Sequence, residues 1–162
     1  MPQLNVDQFT GGDGMLIDPA GWPPLSCEKL ITFAGATTDA WGDDGGVRDG
    51  GAVFKVTGVV RVRLLALCKV NLAGAVTLEA GVASGTALLI AQIADATGID
   101  AGEFWFAADA PTTAIAPTSA AEKVIASDII LTYGGNITAG ALEFNASWAP
   151  VSPDGLLVPS AL

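Results

Sequence analysis

The densest set of reactive side chains lies between Thr38 and Gly50, where Asp39, Asp43, Asp44 and Asp49 surround Trp41 and Arg48 in a glycine-rich stretch. Two carboxylates beside an aromatic ring are the tools of glycoside hydrolysis, with the ring as a platform for the sugar. The same oxygens, carried on flexible turns, suit a hard cation such as calcium. Their spacing is not that of an EF-hand loop, which needs acidic residues at alternate positions and a glutamate twelve residues on. No second polar cluster elsewhere would shape a substrate cleft. The expectation is a solvated acidic loop with no catalytic role.

Histidine is absent, which removes the Ser-His-Asp and Cys-His modes of nucleophile activation and the commonest general base. Cys27 and Cys68 are too far apart for a Cys-x-x-Cys pair and have no histidine to complete a zinc site. They read as small apolar residues of a protein kept in a reducing cytoplasm. The first residues lack the basic segment and apolar stretch of a signal peptide. No catalytic, cofactor-binding or metal-ligating residue is assigned, and the chain is expected not to be an enzyme.

The elements that would carry these residues follow from hydrophobic periodicity. Val56, Val60, Val62, Leu64, Ala66, Cys68 and Val70 share one parity, with Arg61, Arg63 and Lys69 on the other, which is the signature of a half-buried strand. Gly58 is expected to bend this run into two strands. After a turn at Asn71 to Gly74, the alternation resumes with Val76, Leu78, Ala80 and Val82, which predicts a hairpin. Further strands are expected at Lys29 to Ala34, Ala87 to Ile93 and Glu103 to Ala107. Glu122 to Ile125 fits a strand or a single helical turn. Ile129 to Tyr133 and Ala141 to Trp148 read as a closing pair, with Leu142, Phe144, Ala146 and Trp148 on the core face. Trp105 and Trp148, inside apolar strands, are expected to pack in the core.

Eight or so short strands between Gly and Pro turns predict an all-β fold, a single antiparallel β-sandwich of jelly-roll form. The expected domain covers residues 27–150. Residues 1–26 read as an extended N-terminal arm, because Gly11-Gly12-Asp13-Gly14 and Gly21-Trp22-Pro23-Pro24 break both helix and central strand. Residues 151–162, with Pro153 and Pro159, read as an extended C-terminal tail lying on a neighbour.

Hydrophobic residues make up 51% of the chain and mean hydropathy is +0.50, yet no run approaches the ~20 apolar residues of a membrane helix. The surplus is expected at contacts between molecules. Phe9, Leu16, Trp22, Trp41 and Val158 are the interface candidates. A net charge of −10 with seven basic residues argues against nucleic acid, which needs clustered Lys and Arg.

Several segments carry a family likeness: Leu30-Ile31-Thr32-Phe33-Ala34-Gly35-Ala36-Thr37, Val60 through Lys69, Ile99 through Trp105, Asp128 through Thr132 and Gly140 through Phe144. Together they resemble the small β-sandwich proteins encoded among tailed-bacteriophage virion genes, over roughly Leu30 to Pro150. The resemblance implies a structural virion protein, above all a head decoration or cement protein. Such a protein binds the major capsid protein on the capsid exterior as a homotrimer and is assembled in the host cytoplasm. It needs no cofactor, nucleic acid or membrane. The alternative is a tail-fibre or receptor module that reads a glycan with Asp39, Trp41 and Asp44.

Overall fold

A computed structural model describes residues 25–115 and 121–161. Ten strands run in chain order: β1 (Leu25–Thr32), β2 (Gly51–Thr57), β3 (Val60–Ala73), β4 (Leu78–Val82), β5 (Gly85–Ile93), β6 (Phe104–Phe106), β7 (Glu122–Ile125), β8 (Ile129–Tyr133), β9 (Ala139–Pro150) and β10 (Leu156–Pro159). A three-residue 3₁₀ turn, Ala96–Gly98, begins where the Asp95 side chain accepts the Thr97 N–H.

The strands form two antiparallel five-stranded sheets. One runs β1-β9-β3, with β6 and β7 following each other along the far edge of β3; the other runs β10-β2-β8-β4-β5. Every named pairing is antiparallel, and four of them are nested: β1 with β9, β2 with β8, β3 with β7, and β4 with β5. The chain is an all-β sandwich.

Alternation explains which side chains meet between the sheets. Along β3 every second residue, Val60, Val62, Leu64, Ala66 and Cys68, is buried, while Arg61, Arg63, Leu65 and Leu67 are half-buried on the outer face. On β9, Leu142, Phe144, Ala146 and Trp148 are buried. From the other sheet come Val53, Phe54, Leu78, Ile90, Ile129, Leu131 and Tyr133. Trp105 meets Phe144 edge to face, with centroids 6.4 Å apart and planes at 71°, a geometry the ring quadrupoles favour. Val70 departs from the pattern: the ladder with β9 slips after Cys68, and Val70 is exposed.

Gly58 divides the long apolar run as its sequence context suggests. Its φ of +61° lies in the left-handed region, which glycine enters without the Cβ clash other residues meet. The turn is held by Ser152 Oγ, which accepts the Val59 N–H at 2.7 Å and donates to Asp154 Oδ1 at 2.7 Å.

Three pairing expectations are corrected. β3 and β4 form no hairpin: β3 lies between β9 and β6/β7 in one sheet, and β4 lies between β8 and β5 in the other. Nor do β8 and β9 pair, because residues 134–138 carry the chain from one sheet to the other. Finally, part of the C-terminal tail is a strand of this same domain, with Leu156, Leu157, Val158 and Pro159 opposite Thr57, Val56, Lys55 and Phe54. Alternation tells which face of a strand is buried; it carries no information about which strand lies alongside. At the other end, β1 starts at Leu25, two residues inside the expected arm.

Candidate assembly surface

Two edge strands, β1 of one sheet and β10 of the other, come together along one side of the sandwich. Lys29 bridges them, its ammonium donating to the Ser160 carbonyl at 2.9 Å. Its position on the same parity as the buried Ile31 makes it a charge turned inward at a sheet edge, a device that discourages indiscriminate strand addition. Ser160 N–H in turn donates to the Val53 carbonyl at 3.0 Å. Around this seam Leu25, Leu30, Leu156 and Val158 are exposed at 46, 56, 46 and 40%. Single exposed leucines and valines are ordinary on a protein surface; these four are grouped as an apolar rim because β1 and β10 abut, with Leu25 on the parity of the buried Ile31 and Leu30 on the opposite one. On β10, Leu156 and Val158 alternate with the buried Leu157, so the edge strand directs one face to the core and the other outward.

Of the residues expected at an interface, Val158 lies in this rim. Phe9, Leu16 and Trp22 fall outside the described residues. Trp41 is corrected: it sits in a loop, as expected, but is only 5% exposed and belongs to the hydrophobic core. Its loop is tied by backbone to the segment that follows β1. The Ala34 N–H donates to the Trp41 carbonyl at 2.8 Å, and the Arg48 guanidinium lies 5.8 Å from the ring centroid. A ring so enclosed has little surface for a partner or a sugar. Leu25, Leu30 and Leu156 were not singled out in the sequence, although the parity set by Cys27, Lys29 and Ile31 turns Leu30 outward.

The acidic loop uses its carboxylates on its own backbone. Asp43 Oδ2 accepts the Asp39 N–H at 2.9 Å, Asp39 Oδ1 accepts the Val47 N–H at 3.4 Å, and Asp49 Oδ2 accepts the Gly45 N–H at 3.3 Å. Asn136 extends the network by accepting the Asp44 N–H at 3.0 Å and donating to the Gly35 carbonyl at 2.9 Å. These are the local side-chain to backbone bonds that Asp and Asn characteristically make in turns. Among the described residues no group of three or more Cys, Asp or Glu side chains is arranged to hold a metal ion.

Neither thiol is activated. Cys27 and Cys68 are free, at half-buried and buried positions. Burial, reinforced by the negative charge of Glu28, pushes the Cys27 thiol up to about 11. Burial also raises Cys68. A raised pKa keeps the thiol protonated and a poor nucleophile.

The outer face of the first sheet carries the expected basic residues, paired across strands with partners the sequence did not identify. Arg61 and Arg63 both face Glu122 on β7, at 3.6 and 3.1 Å, and Lys69 meets Glu143 on β9 at 3.0 Å. The Arg63 contact is an ion pair whose angles fall short of a hydrogen bond at Nε. On the opposite sheet Gln92 donates to Glu79 at 2.9 Å. A shallow cleft of about 300 Å³ opens beside Trp105, lined by Ala91, Gln92, Ile93, Asp109 and Pro111 among others. It presents one carboxylate and one amide, with no nucleophile beside them.

Compared with known proteins, the sequence matches no family model, no curated protein and no solved structure.

Proposed function

We propose that this chain is a non-enzymatic structural protein of a bacteriophage particle, a head decoration or cement protein that binds the major capsid protein on the capsid exterior. The observation that carries the reading is the exposure of Leu25, Leu30, Leu156 and Val158 on two edge strands that abut without pairing. A rim of this kind suits repeated burial against identical neighbours, which gains strength from the number of contacts rather than from chemistry at any one. The rigid two-sheet core supports the rim, and the net charge of −10 keeps free copies apart before assembly.

The nested pairing of β1 with β9, β2 with β8, β3 with β7 and β4 with β5 is the order produced when a long antiparallel ribbon wraps into a jelly roll, and we read the sandwich as that form. Jelly rolls are frequent in capsid and lectin domains, so the fold class supports the reading without deciding it. The glycan-binding alternative is weakened by the burial of Trp41, which was its aromatic platform.

In this reading the protein is a homotrimer in solution and co-sediments with expanded empty capsids. Leu30→Glu with Val158→Glu places charge at exposed positions, so it preserves the fold and abolishes capsid binding. Light scattering that returns a monomer at tens of micromolar, together with no capsid association, overturns the proposal. Specific binding on a glycan array would replace it with the receptor-module reading.

A further inference from the structure

The cleft beside Trp105 lies where the end of β5 meets the turn that leaves β6. Ala107, the first residue after β6, accepts the Ala91 N–H at 2.5 Å. Its φ of +44° lies in the left-handed region, which a residue other than glycine enters only at a cost. A turn fastened in this way to the neighbouring strand gives the cleft a fixed lip, and a site shaped in advance loses less on binding.

About 300 Å³ is the low end of the range for ligand sites, so the cleft has room for one side chain or a ligand of that size. Its described walls are alanine methyls, Ile93 and Pro111, with Trp105 closing the back. The polar groups are Asp109 and Gln92, and none of the described lining residues is basic. Among the described residues no ion pair or hydrogen bond occupies the Asp109 carboxylate. The Gln92 amide is anchored through its nitrogen to Glu79 at 2.9 Å; its oxygen stays as a second acceptor, and Glu79 sets another negative charge close by. Such a site calls for a cation with several donors and an apolar stem. Arginine has five N–H donors and no acceptor, and its planar, weakly hydrated guanidinium matches a carboxylate and tolerates apolar walls. The compact ammonium of lysine is more strongly hydrated and gives up more on entry. A sugar would need an open ring to lie on, and Trp105 is only 2% exposed.

We propose that this cleft receives an arginine side chain presented by a partner protein, with the guanidinium at Asp109 and the methylenes along the apolar walls. The net charge of −10 draws a basic surface toward the chain. An arginine seated in a pocket is among the side chains that most often dominate a protein contact. This partner chemistry goes beyond the capsid reading and holds whichever protein supplies the arginine.

The test is a ¹H–¹⁵N NMR titration of the full-length chain with N-acetyl-arginine N-methylamide, an arginine flanked by peptide groups as it is in a protein. Saturable shifts are expected at the amides of Ala91, Gln92 and Asp109 and at the Trp105 indole, with half-saturation in the millimolar range for so small a probe. The citrulline analogue, which keeps the shape and lacks the charge, is expected to bind roughly fivefold more weakly or worse, as is the lysine analogue. Free arginine, whose own carboxylate meets Asp109, should also bind more weakly. Asp109→Asn changes an exposed position and is expected to weaken the capped arginine roughly fivefold while the rest of the spectrum stays in place. No shift at the cleft, shifts centred on Asp39 to Asp49, equal binding of the citrulline or lysine analogue, or affinity unchanged in Asp109→Asn would each overturn the proposal. Tighter binding of free arginine would overturn it too, because the cleft would then serve a small molecule.

Discussion

Asp128 ties the turn before β8 to the neighbouring strand β2, and removing it should expose how much that tie contributes. Its Oδ2 receives the Lys55 ammonium at 2.7 Å and its Oδ1 receives the Val56 N–H at 2.9 Å. Burial alone would raise its pKa, but the Lys55 side-chain bond, the Val56 backbone bond and the Lys55 charge together lower it below the ordinary carboxylate value. Side-chain exposures of 55% for Lys55 and 33% for Asp128 put the ion pair near the surface, so it contributes about 0.5 kcal/mol. The bond from a half-buried N–H to a charged acceptor contributes more, about 1.5 kcal/mol. Asp128→Ala should therefore cost about 2 kcal/mol, which in a chain of this length lowers Tm by roughly 4–8 °C. Asp128→Asn keeps an acceptor for Val56 and should cost about half as much.

The pH dependence of that difference separates charge from packing. A carboxylate whose folded pKa lies below its unfolded value stabilises the fold above the unfolded pKa, near 3.8, and loses that contribution as pH falls through the lower folded value. In urea unfolding, the gap between the native chain and Asp128→Asn should hold constant from pH 7 to about 5 and close below about pH 4. A gap that persists undiminished at about pH 2.5, or no gap at pH 7, would refute the reasoning.

Two further substitutions test the core and the loop. Phe144 is fully buried against Trp105, so Phe144→Ala should cost about 3–5 kcal/mol and alter Trp105 fluorescence in the folded state; a loss under about 1 kcal/mol would mean the sheets do not meet there. Gly42 has φ +94°, and a Cβ on it would collide with the Ile137 backbone carbonyl, whereas Gly45 at φ +72° has open space around it. Gly42→Ala should therefore lower Tm well beyond Gly45→Ala, which bears only the roughly 1 kcal/mol cost of the left-handed conformation; equal effects would place the loop differently.

Much of the secondary structure was legible because alternation is a local property. The strand from Val60 to Cys68 and the core face of β9 follow directly from side chains pointing to opposite sides of successive residues. Ala87 to Ile93, whose composition also suits a helix, is strand in the fold, where its edge meets β4. The acidic loop was likewise read correctly as a loop, since closely spaced glycines and aspartates favour turns.

What the chain could not announce was contact between distant segments. Glu122 as the partner of Arg61 and Arg63, the seam between β1 and β10, and the return of Leu156 to Pro159 onto β2 join residues from 59 to more than 100 positions apart. Trp41 shows the same division: its loop was plain from neighbouring glycines, but its burial depends on the sheets that close around it. Sequence determined the faces of the strands and the absence of histidine chemistry; only the tertiary structure decided neighbours, edges and the apolar rim. The reason is physical: side-chain direction is set by the backbone one residue at a time, whereas strand partners are set by which surfaces remain unburied once the whole sandwich has closed.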